Sequence, residues 1–499
     1  MRRAVICSVL SIIGLSAWSF ERSANGCGDP KEMFDALAKN AVSEDAKTAE
    51  SAIRVLRQHG PEALKAMLAV HADAIKEHTE QQAIAAAFAV PKKPDDPEEK
   101  AWQRLRTALD EVSGQRDCHA SRLFWYTDLD QAKAAAKQTG KPILSLRLLG
   151  KLTDEYSCAN SRFFRTTLYS NAEISKALGE RFILHWKSVR PVPKVTIDFG
   201  DGRKLERTLT GNSIHYILDG DGQIVDALPG LYGPKAFLRE LERAEQTAKK
   251  AAGISAEPQN IMTARERFLV NYHRERASAI ETAWQEDLNK LGISIPAGAD
   301  SKFAVERPAY VATVAQAQPA KVAPVATAKT APDAARAGVI AIGKGRVELP
   351  IIRAAGFASD VSLAQATTDD VWNRIAQLHA EDSKLDAASF NLIRSQHPTA
   401  AAAARRAMSK MVVEDPLVRM VRMLQGSIAL DTVRNEYTFH RQIHQWLATA
   451  NVADIDVFNE RIYAELFLTP SSDPWLGLMP ADAYTALENN GVEQVASGK

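Results

Sequence analysis

Cysteine is scarce in this sequence, and long apolar runs are absent beyond its first residues. Only 4 of the 499 residues are cysteine, so disulfides cannot form the framework of a chain this large. No stretch after the N-terminus is long and apolar enough to cross a bilayer, so we expect no transmembrane span in the mature chain. The 62 basic and 61 acidic residues nearly cancel, and no aromatic–basic interleaving is evident, so nucleic acid is not expected as a partner.

Several motifs that carry chemistry are also missing. Gly200, Gly202 and Gly211 do not have the spacing of a phosphate-binding loop. Ser161 lacks the flanking glycines of a nucleophile elbow. The run Asp219–Gly222 lacks the length and the closing glutamate of an EF-hand, and it predicts a hairpin turn instead. These absences lead us to expect no cofactor.

The N-terminus has the pattern of an export signal. Arg2 and Arg3 precede an apolar run, Ala4–Trp18, whose length suits a signal-peptide core rather than a membrane span. We therefore expect a signal peptide at residues 1–26 and a periplasmic or extracellular protein. Cleavage before Cys27 would allow a lipid anchor there, but the apolar core ends well before that cysteine, which argues against it.

Apolar spacing and composition divide the rest of the chain. Apolar residues recur at helical spacing in the N-terminal region, for example at Ala63, Leu64 and Met67. A long charged helical pattern follows the centre of the chain, and the Ala- and Pro-rich stretch after it is typical of a linker. The predicted regions are 27–117 (helical), 118–250 (central domain), 251–302 (long helix), 303–342 (linker) and 343–499 (mainly helical, beginning with the strand-like Arg346–Ile352).

The central domain alternates helical and strand-like patterns. In chain order they are a helix at Asp128–Gly140, a strand at Lys141–Leu146, a helical start at Tyr156–Arg162, a strand at Phe182–Trp186, a hairpin at Ile214–Val225 and a helix at Pro234–Lys250. This order resembles the thioredoxin-like fold, in particular the branch in which a helix ending in Gly-Lys-Pro leads into the first central strand. The resemblance implies a mixed sheet flanked by helices, with Ile143–Leu146 and Leu184–Trp186 as neighbouring buried strands. The whole chain would then be α+β or α/β, with mainly α-helical N- and C-terminal regions.

Cys158 is the candidate reactive residue that the resemblance implies. Thioredoxin-like folds carry a CxxC pair where the helix after the first central strand begins, and this chain has Cys158-Ala159-Asn160-Ser161 there. Helix N-terminal amides stabilise a thiolate and make it nucleophilic, which suits Cys158 to attack a disulfide. Ser161 replaces the second cysteine and cannot resolve a mixed disulfide. Cys158 and Ser161 are therefore candidate catalytic residues of a degenerate site, and the sequence leaves open whether the protein is an enzyme.

The loop that should face this site also departs from the family pattern. The family usually has a cis-proline just before the strand that begins the hairpin, whereas this chain reads Gly211-Asn212-Ser213-Ile214. The missing proline argues against redox catalysis. We therefore expect an exported protein with a non-catalytic binding or structural role towards an unknown protein partner in the cell envelope. The alternative is monothiol thiol–disulfide exchange through Cys158.

Cys118 offers a different role for Cys158. An oxidising compartment permits a disulfide between Cys118 and Cys158, which would enclose 39 residues and tie the preceding segment to the central domain. An inert thiol and a reactive thiol are the two other possibilities for Cys158.

Glu436, His440 and His444 are weak candidates for a metal site in the C-terminal region. They are spaced i, i+4 and i+8, and two histidines one helical turn apart can bind zinc. The first and last of the three are about 12 Å apart along a straight helix, so they cannot share one ion unless another segment contributes. We therefore predict structural residues, hydrogen-bonded at a helix–helix contact beside Tyr437 and Trp446, and no metal.

Overall fold

The structure is a computed structural model of the chain. It describes residues 30–88, 96–208, 212–254, 263–295, 361–396, 416–449 and 454–472. The predicted signal peptide at 1–26, Cys27, the linker at 303–342 and the strand-like Arg346–Ile352 lie outside these residues. None of the helices within the described stretches has the length and apolar character needed to cross a bilayer.

A mixed four-stranded sheet lies at the centre of the fold. The described strands are β1 Ile143–Leu149, β2 Ile183–Arg190, β3 Lys194–Asp198, β4 Lys204–Thr208, β5 Ser213–Leu218 and β6 Ile224–Pro229. The sheet has the order β2-β1-β5-β6, with β1 parallel to β2 and antiparallel to β5, while β3 and β4 form a separate hairpin. Every residue of β1, β5 and β6 is buried, which explains why their sequences are almost continuously apolar.

Helices surround this sheet. They are α1 Pro30–Asn40, α2 Ala46–His59, α3 Pro61–Val70, α4 Ala72–Phe88, α5 Pro97–Ser113, α6 Cys118–Ser121, α7 Leu129–Thr139, α8 Ala159–Phe163, α9 Ala172–Arg181, α10 Pro234–Ala252, α11 Ala264–Lys290, α12 Val361–Ala366, α13 Asp369–Leu378, α14 Ala387–Gln396, α15 Pro416–Arg434, α16 Arg441–Leu447 and α17 Ile455–Glu465. π-Helical turns at Phe164–Leu168 and Asn435–His440 follow α8 and α15, and a 3-10 turn, Ala380–Ser383, follows α13. The expected mixed α/β architecture, with a mixed sheet flanked by helices, is confirmed.

The C-terminal helices and the sheet share one hydrophobic core. Ile443 of α16 and Phe458 of α17 belong to the same buried cluster as the apolar residues of β1, β5 and β6. The hydroxyl of Tyr216 on β5 donates to Asn459 of α17 across this contact at 3.2 Å. A second cluster holds the N-terminal helices, and a third joins α11 to α13 and α15. The C-terminal helices thus bring their polar side chains directly onto the sheet.

The N-terminus of α10 packs closely against the C-terminal part of the chain. The Gly233 N–H donates to Thr432 Oγ1 at 2.7 Å. A Cβ at Gly233 would overlap the carbonyl oxygen of Asp382 and lie 2.7 Å from its carbonyl carbon. Backbone cannot yield as a flexible side chain can, so this junction requires glycine.

Gly233→Ala should destabilise the protein by about 1–3 kcal/mol, because the new methyl group pushes α10 away from the 3-10 turn. Gly253→Ala at the other end of α10 is the matched control, since a Cβ there meets its nearest atom at an ordinary 3.6 Å. Neither glycine has a positive φ, so strain of the backbone does not enter the comparison. Urea denaturation of the two variants measures the difference, and equal stabilities would contradict the tight junction.

The buried carboxylate of Asp287 on α11 links the elements that form the third hydrophobic cluster. Asp287 accepts hydrogen bonds from Tyr437 (2.6 Å), His379 (2.6 Å) and Lys290 (2.8 Å). Burial disfavours the Asp287 carboxylate, but these bonds outweigh it and lower its pKa to about 2. The bond to Asp287 raises the pKa of His379 above its ordinary value. The pair is therefore a pH-dependent link between α11 and the segment after α13.

His379→Gln should destabilise the fold more at about pH 5 than at about pH 9. Protonated His379 contributes its full stabilisation below the unfolded pKa of about 6.5, and the contribution is lost as the pH rises through the higher folded pKa. Asp287 stays ionised across this range. Urea denaturation of the wild type and the variant at both pH values measures the effect, and a pH-independent difference would refute it.

Candidate functional site

Cys158 lies at the start of a helix, as the sequence predicts. It is the residue immediately before α8, and Ser161 follows within that helix. The Cys158 thiol donates to Ser161 Oγ at 3.4 Å and lies 3.2 Å from Ser213 Oγ on β5. Ser161 in turn donates towards Ser157 Oγ and the Cys158 carbonyl, both at 2.8 Å. The sulfur therefore sits in a small cluster of hydroxyl groups.

The C-terminal segment covers the loop beside this thiol. Cys158 and Ser213 are both 0% exposed. The hydroxyl of Tyr463 donates to the Asn212 carbonyl at 3.1 Å, and Asn212 Nδ2 donates to Thr469 Oγ1 at 2.9 Å. Asn212 belongs to the predicted site-facing loop, of which Gly211 lies outside the described residues. The sulfur is not exposed in the folded structure, so a substrate cannot reach it without a conformational change.

Cys118 and Cys158 are separate free thiols in the structure, which therefore does not contain the disulfide that the sequence left open as one possibility. Cys118 packs within the N-terminal helical cluster, whereas Cys158 packs within the cluster around the sheet. Burial raises the pKa of the Cys118 thiol far above its usual range. Its environment is that of an inert, structural cysteine.

A second polar cluster lies where β6, α11 and α16 meet. Asp226, His440 and His444 are completely buried, and each offers one potential ligand atom within 4.8 Å of the others. His440 Nε2 lies 2.9 Å and His444 Nε2 lies 3.6 Å from Asp226 Oδ1. His440 ends the second π-helical turn and His444 lies one turn later, so both rings face β6.

The carboxylate that lies beside the two histidines is that of Asp226, and not that of Glu436 as the sequence spacing suggested. Glu436 points instead towards Arg239, 3.7 Å from its guanidinium, so it does not belong to this group. Sequence reasoning missed Asp226, although the signal was available. It is the one charged residue in the otherwise apolar strand Ile224–Pro229, and a charge there needs buried partners.

A surrounding layer of side chains orients the cluster. The hydroxyl of Tyr272 donates to Asp226 Oδ2 at 2.7 Å, and His273 Nδ1 lies 2.9 Å from His444 Nδ1. The second of these bonds joins two helices, α11 and α16. The sequence predicts Tyr437 and Trp446 beside the two histidines. In the structure the Tyr437 hydroxyl donates to Asp287, and the Trp446 ring stacks against the Arg461 guanidinium.

The cluster combines a buried carboxylate with imidazole rings. Burial opposes ionisation of Asp226, but His444, His440 and the hydrogen bond from His440 outweigh it and hold the pKa of that carboxyl well below its usual range. Burial lowers the pKa of His444 well below its ordinary value and that of His273 to about 4.

Tyr272→Phe should destabilise the protein by about 1–3 kcal/mol in the presence of EDTA, because the buried Asp226 carboxylate loses a hydrogen bond. Tyr232→Phe is the matched control. Tyr232 is also buried and contacts His440, but its hydroxyl has no hydrogen-bond partner among the described residues. Thermal and urea denaturation compare the two, and equal destabilisation would contradict the role of the Tyr272 hydroxyl.

Comparisons with known proteins give no further guide to this chain. No family model matches it, and the searches of curated proteins and of solved structures found no match. Function must therefore be inferred from the chain's own residues and their geometry.

Proposed function

We propose that residues 118–250 form a thioredoxin-like domain with a degenerate site, and that this exported protein has a non-catalytic binding or structural role in the cell envelope. Two features support the resemblance. β1 and β2 are neighbouring buried strands, and the helix that follows β1 begins next to Cys158. The hairpin of β5 and β6, followed by α10, agrees with the expected order.

The burial of Cys158 carries the non-catalytic part of this proposal. Thiol–disulfide exchange requires a thiolate to attack a disulfide sulfur, so the attacking sulfur must be accessible. Here Cys158 is 0% exposed, and the adjacent Asn212 is bonded to Tyr463 and Thr469. The surface next to the thiol is thus occupied by the chain's own C-terminal segment.

Among the described residues, no second thiol lies close enough to Cys158 to resolve a mixed disulfide. Ser161 occupies the place of the resolving cysteine, and its hydroxyl accepts the Cys158 hydrogen bond. Cys118 belongs to a different hydrophobic cluster. A binding or structural domain needs neither an exposed nor a resolving thiol, so these features favour that role.

Monothiol exchange is the competing function, and the position of Cys158 beside a helix N-terminus favours it. It requires a conformational change that exposes the sulfur, which is completely buried in the folded chain. The two functions therefore differ in one measurable property, which is whether Cys158 reacts in the folded protein.

Iodoacetamide labelling, located by peptide mass spectrometry, should modify Cys158 in the native protein at least about 100-fold more slowly than in urea. Cys118, which is equally buried, is the internal control and should be protected to a similar degree. Rapid native labelling of Cys158 while Cys118 stays protected would overturn the non-catalytic role and support thiol exchange.

A further inference from the structure

We propose that Asp226, His440 and His444 form a buried binding site for a divalent transition-metal ion, with Zn²⁺ as the preferred ion. The site would join strand β6 to the π-helical turn before α16 and to α16 itself. It does not involve Cys158 and is independent of the function proposed for that residue.

The spacing of the three side chains fits a single ion. Ligand atoms bound tetrahedrally at 2.0–2.1 Å from zinc lie about 3.3 Å from one another. The distances from Asp226 Oδ1 to His440 Nε2 and His444 Nε2, 2.9 and 3.6 Å, fall on either side of that value. Two imidazoles and one carboxylate are also a ligand set that zinc and its neighbours in the periodic table accept.

An unpartnered buried nitrogen points independently to a ligand. His444 Nε2 has no hydrogen-bond partner among the described residues, although the side chain is completely buried. It is directed towards Asp226 Oδ1 but is too distant for a hydrogen bond. Leaving such an atom unsatisfied destabilises the folded state, and coordination of an ion between it and Asp226 would remove that penalty.

The surrounding bonds orient the ligand atoms. Tyr272 donates to Asp226 Oδ2, and Oδ1, which also accepts the Ala227 N–H, is the carboxylate oxygen that faces both histidines. The other ring nitrogen of His444 bonds to His273, and this arrangement makes Nε2 the available ligand atom. Such outer partners are the usual means by which proteins fix the tautomer and orientation of metal-binding histidines. His440 would bind through Nε2, the ring nitrogen that lies 2.9 Å from Asp226 Oδ1.

The ligands come from distant parts of the chain. Asp226 and His440 are separated by 214 residues, so an ion would hold the C-terminal helices against the sheet. Bound metal would then stabilise the folded state, because the site does not exist in the unfolded chain. The fourth tetrahedral position is left for a water molecule.

Metal titration of the full chain tests the site. The protein is first treated with EDTA, dialysed, and then titrated with Zn²⁺, or with Co²⁺ to follow the visible absorption of a tetrahedral complex. We expect one ion per chain and a rise in melting temperature on zinc addition. His440→Gln and His444→Gln should each weaken zinc binding by at least about 100-fold, since each removes a ligand.

His379→Gln is the matched control, because His379 is bonded to Asp287 outside this cluster and its replacement should leave zinc affinity unchanged. Circular dichroism checks that each variant is folded. If the ligand variants do not fold, Tyr272→Phe decides, since loss of an outer partner should weaken zinc binding by about 10- to 100-fold with unchanged stoichiometry. Failure of the wild type to bind zinc, binding equal to wild type in folded ligand variants, or an unaltered affinity in Tyr272→Phe would each overturn the proposal.

Discussion

The buried carboxylate of Asp226 is the interaction on which the junction between the sheet and the C-terminal helices depends. A charge removed from water costs several kcal/mol unless its partners are well placed, and removing one partner leaves that cost uncompensated. Asp226 meets this requirement through Tyr272 on α11, His440 before α16 and its neighbour's backbone N–H at Ala227. Three elements must therefore be in position together before this charge is satisfied.

The long helix α11 extends this constraint to the third hydrophobic cluster. Tyr272 and His273 near its middle contact the Asp226 cluster, and Asp287 near its end binds His379 and Tyr437. The π-helical turn after α15 contributes to both networks, through His440 and Tyr437. Apolar packing supplies most of the stabilisation of such a core, while the two polar networks determine how the helices are oriented, because hydrogen bonds are directional.

The same packing determines the state of Cys158. The sulfur is completely buried among hydroxyl groups, and Asn212, next to Ser213 on β5, is bonded to Tyr463 and Thr469 of the C-terminal segment. A helix-terminal cysteine in an isolated domain would be a candidate nucleophile. In this chain the C-terminal helices share the core of the sheet that also contains Cys158.

Local patterns in the sequence were sufficient to predict the four strands of the central sheet, the helix beginning beside Cys158 and the hairpin turn on Asp219. The Asp219 carboxylate accepts the backbone N–H groups of Asp221 and Gln223. Those features depend on backbone preferences and on side chains only a few residues apart. Local patterns did not predict that Cys118 and Cys158 lie in different hydrophobic clusters. They also did not predict that Asp226, and not Glu436, lies beside His440 and His444. Apolar burial and buried hydrogen bonds join residues more than 200 positions apart, so only the tertiary structure decided which polar groups share a core and which thiol is hidden from solvent.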